Sequence, residues 1–84
     1  VYAIADGVVI RRSGDGWGTG NVGLVVRHTL ANGYRFQAIY GHISSTITEG
    51  AEVFAGRQIG TVGPWPSGVH LHFGIRLDAN ADAV

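Results

Sequence analysis

The chain has 84 residues, six arginines against six acidic residues with no lysine, four histidines, and neither Cys nor Met. Such a length holds one small domain with a thin core, and without cysteine neither disulfides nor thiolate ligands can support it, so any metal site must draw on His, Asp or Glu. The balanced charge excludes a polybasic surface for nucleic acid or acidic lipid. No apolar run approaches the length of a membrane span, and Val1-Tyr2-Ala3-Ile4-Ala5-Asp6-Gly7 lacks the basic start of a signal peptide. No nucleic-acid partner and no membrane insertion are therefore expected. A start at Val1 rather than Met leads us to expect a processed or trimmed segment of something longer, with residues 1–84 a single core unit that is the C-terminal part of a longer domain.

From the N-terminus, Val1 to Ala5 and Val8 to Ile10 are β-rich runs punctuated by Asp6-Gly7, which predicts two short strands or one bent strand. Residues 13–21 hold four glycines in nine positions and read as a surface loop. That loop lacks the Lys-Ser/Thr ending and following helix of a phosphate cradle, and Trp17 is expected to anchor it on the core. Val22 to His28 predicts a strand, Ala31-Asn32-Gly33 a hairpin with a type I′ turn, and Tyr34 to His42 the returning strand. By the period of two, Tyr40 and His42 share a face. For His28, at the end of its strand, a site role and a turn role are both open.

Residues 43–49 read as a crossing loop with up to one helical turn. Residues 49–60 alternate turn glycines with single apolar residues, faintly repeating the start of the chain. Gly63-Pro64-Trp65-Pro66-Ser67-Gly68 must be a loop, because two prolines remove donors and fix φ. The prolines are expected to hold Trp65 at the surface, at the lip of the His70/His72 face. The tail from Asp78 to Val84 is expected to fray. Nowhere do ten or more residues show a helical apolar period, so the fold is expected to be all-β: a small antiparallel sheet or sandwich built from a duplicated motif, with no long helix.

The chemistry concentrates in Ser67-Gly68-Val69-His70-Leu71-His72-Phe73-Gly74. In a strand, His70 and His72 point to one face while Leu71 and Phe73 point to the other, and the two imidazole-bearing Cα atoms stand about 6.6 Å apart. One face reads as site and the other as buried core, with His42 expected to join the two histidines in one shallow groove.

Tyr40-Gly41-His42, the ladder Gly50-x-x-Val53-x-x-Gly56-x-x-Ile59-Gly60-x-x-Gly63 and Gly68-Val69-His70-Leu71-His72-Phe73, in that order, resemble the lysostaphin-type zinc endopeptidases that cut peptidoglycan peptides. The resemblance covers nearly the whole chain. It implies that His72 binds Zn2+, that His70 assists as general base or orients water, and that His42 stabilises charge on the tetrahedral intermediate. It further implies a substrate groove touched by Tyr40, Trp65 and Ser67, with Tyr40 orienting His42. The partner so implied is a peptidoglycan peptide, and the place the cell envelope, extracellular or periplasmic. Members of that family carry a further His and Asp ligand upstream of the segment matching Val1 to Gly7, so an upstream segment is expected to complete the metal site. Gly74, where an acidic residue is frequent in the family, and the Pro-Trp-Pro loop depart from its pattern. The rival expectation is a non-catalytic module that keeps the groove, binds cell-wall peptides or activates another wall hydrolase. A weaker third is a phosphotransfer β-domain with a nucleophilic His, which has no need of two histidines on one face.

Overall fold

The computed structural model describes residues 1–14, 16–18, 20–63 and 70–77. Its strands are β1 (Gly7–Ser13), β2 (Val22–Thr29), β3 (Arg35–Ser44), β4 (Glu52–Val53), β5 (Thr61–Val62) and β6 (His72–Leu77). All pair antiparallel in one sheet of order β4-β1-β2-β3-β5, with β6 joined to β3 alongside β5. The fold is all-β. None of the described residues is helical, residues 45–48 included, so no described helix is long and apolar enough to cross a membrane.

Alternation decides which face of the sheet is core. Val9, Leu24, Val26, Ala38 and Tyr40 are neighbours across β1, β2 and β3 and are all buried. Two irregular segments cover them, bringing Ala3, Val53 and Ile59 onto the cluster. These segments are residues 1–5 and 53–60. They lie antiparallel to each other, with Ala3 N–H donating to the Arg57 carbonyl (2.9 Å), Gly56 N–H to the Ala3 carbonyl (2.9 Å) and Ile59 N–H to the Val1 carbonyl (2.8 Å). The two segments form a pair of straps across one side of the sheet.

One buried polar network ties a strap to the sheet. His28 Nδ1–H donates to the Asp6 carbonyl (3.2 Å), and the Tyr40 hydroxyl donates to His28 Nε2 (2.8 Å) while accepting from Ile4 N–H (3.3 Å). This fixes the His28 tautomer, because the Asp6 carbonyl can only accept. His28 is fully buried. Desolvation pushes its pKa below the ordinary histidine value, and desolvation likewise pushes the Tyr40 hydroxyl up.

Three local expectations are corrected. The β2–β3 connection is not a type I′ turn: Gly33 N–H donates to the Leu30 carbonyl, Leu30 N–H to the Tyr34 carbonyl, and Gly33 alone takes positive φ (86°). That pattern is a type I turn closed by a glycine bulge, in which Asn32 instead accepts Tyr34 N–H on its side-chain oxygen. Leu71 and Phe73 are not buried but 38% and 42% exposed. Phe73 does point to the core side, opposite Tyr40 with ring centroids 5.3 Å apart, yet β6 lies beyond the reach of the two straps. Tyr40 and His42 do not share a face, for a reason that belongs to the site.

Candidate active site

The site begins with a backbone irregularity. His42 has φ of 58°, the one positive φ among described non-glycine residues. A residue in the left-handed region interrupts the strand's alternation, so Tyr40 stays in the core, 1% exposed and bonded to His28, while the His42 ring turns to the opposite face. Tyr40 therefore neither orients His42 nor faces a groove. On its new face His42 meets the strand it was expected to meet. Its ring centroid lies 4.9 Å from that of His70 and 6.0 Å from that of His72, the latter carried by β6 opposite Gly41.

Trp17 is the floor of this cluster. Its indole lies over Gly23 of β2 and Gly41 of β3, where a Cβ on either glycine would overlap the ring. It packs edge-on against His42 (5.0 Å) and His72 (5.3 Å). The Trp17 carbonyl accepts from His42 Nδ1–H (3.0 Å) and from the Asn21 amide (3.1 Å), Asn21 being buried. His42 is thereby held with its proton on Nδ1 and its lone pair on Nε2. The loop was expected to be anchored on the core by Trp17; it is anchored on the site face instead. The signal in the sequence was the pair of glycines at mid-strand positions, which leave a slot one ring thick.

The His42 carbonyl accepts from Gly63 N–H (2.8 Å), tying the site to the chain just before residues 64–69. Trp65 and Ser67, expected to contact substrate, lie outside the described residues. His28 takes no part in the cluster, and Asp6 is engaged elsewhere, its carboxylate accepting Ala55 N–H (2.9 Å). A catalytic zinc needs three protein donors converging on one point. No group of three or more His, Asp or Glu among the described residues could hold a metal ion. The described side chains alone therefore do not fit a complete zinc site.

Peptidase family M23 is the family whose model matches, over residues 1–84. The chain belongs to peptidase family M23. Neither a curated protein nor a solved structure matches it significantly. Membership of M23 gives the chain a peptidase-type function in a family of metallopeptidases. The motif positions that resembled lysostaphin-type enzymes are those that carry the histidine cluster in this M23 chain. Beside the cluster, on the same face, runs a groove of about 190 Å3 lined by Arg11, Ser13, Trp17, Gly23, Val25, Ile39 and Arg76.

Proposed function

We propose that the chain is the catalytic part of an endopeptidase that hydrolyses peptide cross-links of bacterial peptidoglycan in the cell envelope, with zinc as its metal and His72 as the ligand this chain contributes. What supports this above all is the gathering of His42, His70 and His72 on one face, over an indole that packs against two of them. The two remaining ligands are to come from a segment bearing His and Asp outside the described residues. Exposed His70 takes the proton of the attacking water or orients that water. His42, with Nδ1 committed to the Trp17 carbonyl, donates from Nε2 only as the imidazolium. In that form it steadies the negative charge growing on the scissile carbonyl oxygen, a role worth about 3 kcal/mol in a dry site.

The test is to supply a His- and Asp-bearing segment, fused to the N-terminus or added in trans, and to measure zinc stoichiometry and cleavage of cross-link peptides with and without His72→Ala. We expect one zinc per chain together with cleavage, both lost in the variant. Stoichiometric zinc without His72 would show the ligand to be misassigned. Zinc held through His72 with no cleavage across a peptide panel would favour the binding module.

A further inference from the structure

The face that carries the histidines is organised in rows, because residues paired across antiparallel strands point the same way. In the first row Ser13 pairs with Gly23 and Gly41 with His72, and Trp17 lies over the two glycines. In the second, Arg11, Val25, Ile39 and Gly74 stand directly side by side across β1, β2, β3 and β6. In the third, Gln37 pairs with Arg76, whose Nε–H donates to Gln37 Oε1 (2.7 Å). The groove crosses these rows, from Ser13, Trp17 and Gly23 past Val25 and Ile39 to Arg76. Trp17 belongs both to its lining and to the packing around His42 and His72, so groove and histidine cluster are continuous.

The charge of the groove is one-sided. Although the chain as a whole is neutral, the groove's lining includes two arginines and no acidic residue among those described. Its floor, Val25 and Ile39, is apolar, and at Gly74 no side chain rises from β6: an added Cβ would meet nothing within 4 Å. An apolar floor flanked by arginines, Arg11 on β1 and Arg76 on β6 beyond the row of His72, suits an extended chain whose body is uncharged and whose far group is an anion. From His72 to Arg76 is four strand residues, about 13 Å, which four residues of extended peptide also span.

Resting on the reading of this face as a peptide site, we propose that the groove binds an extended peptide carrying a carboxylate about four residues from the histidine cluster. Arg76 and Arg11 are the groups that receive that carboxylate. They act as specificity determinants for an acidic end of the substrate, away from the reacting atoms.

The test uses two probes that differ in one group, acetyl-pentaalanine as the free acid and as the carboxamide. Both are titrated into the 84-residue chain while amide and imidazole NMR shifts are followed. The acid should bind about fivefold to tenfold more tightly than the amide, and that preference should shrink when salt is raised from 50 to about 500 mM. In the double variant Arg11→Gln, Arg76→Gln the preference should vanish, acid and amide binding equally. Gly74→Glu, which places a carboxylate in open space, should abolish it too. Equal binding of acid and amide, with shifts at His70, His72 and Trp17, would keep the peptide site and overturn the carboxylate subsite. A preference that survives the double variant would overturn it as well. Binding of neither probe would overturn the peptide reading and the subsite together.

Discussion

Tyr40→Phe removes one oxygen and little else, which makes it a clean probe of how the strap over the sheet is held. The ring keeps its packing on Phe73, so no cavity larger than that oxygen opens. The lost bond is the 2.8 Å contact to His28 Nε2, a neutral pair worth about 1 kcal/mol net. His28 Nε2 is then a buried acceptor with its partner removed, a further penalty of about 1–3 kcal/mol. The 3.3 Å contact from Ile4 N–H adds little. The sum is a loss of about 2–4 kcal/mol, large beside the roughly 5 kcal/mol that a domain of this size can be expected to have. Urea unfolding followed by circular dichroism measures it, with an unchanged m-value showing that the same surface is exposed. The double variant His28→Leu, Tyr40→Phe should lose less than the sum of the two single changes, because both polar partners leave together. A loss under about 0.5 kcal/mol for Tyr40→Phe, or strict additivity in the cycle, would refute the idea that this network fastens the strap.

Because burial lowers the His28 pKa, folding favours the neutral ring. Its contribution should be complete above the unfolded value of about 6.5 and should fall as pH drops below it, by at most about 1.4 kcal/mol per pH unit, until the folded pKa is reached. Urea midpoints between pH 7.5 and 5 would show this slope, and His28→Gln should flatten it. Gly41→Ala should push the indole off its slot and lose about 1–3 kcal/mol through overpacking, with a changed near-ultraviolet tryptophan signal and displaced His42 and His72 resonances. At His42, whose φ is 58°, glycine should be more stable than alanine by about 1 kcal/mol, the reverse of the usual order within a strand. Arg12→Ala should leave the Ser45 and Ile47 carbonyls without their guanidinium donor (2.8 and 2.7 Å), seen as faster amide exchange across residues 45–49.

What the sequence made legible was whatever depends on local period. His72 facing one way and Phe73 the other follows from strand alternation and holds in the sheet. Burial of Phe73 did not follow, since burial depends on what lies above a strand and the straps of residues 1–5 and 53–60 reach Val9, Leu24 and Tyr40 but not β6. The period also misled at His42, where a single left-handed residue exchanges faces with no mark in composition. The position of Trp17 was hidden for another reason: its slot is made by Gly23 and Gly41, six and twenty-four residues away, and only strand pairing brings them together. The Asn-Gly pair announced a hairpin correctly, but its turn type was set by where the bulge falls.

The uncovered side of β6 has a bearing on how the protein behaves in a tube. Phe73, Ile75 and Leu77 project in a line from a strand whose other edge has no partner among the described residues. The chain's formal charge at neutral pH is zero, so little long-range repulsion keeps two copies apart. An open edge with an oily flank is a template for edge-to-edge pairing, and long strands of this kind seed aggregates. Handling is therefore a matter of colloid chemistry as much as of folding: light scattering should rise with concentration most steeply near pH 7 and subside on either side. Arginine, or a single Ile75→Lys change that puts a charge in the middle of the oily line, should keep the solution clear.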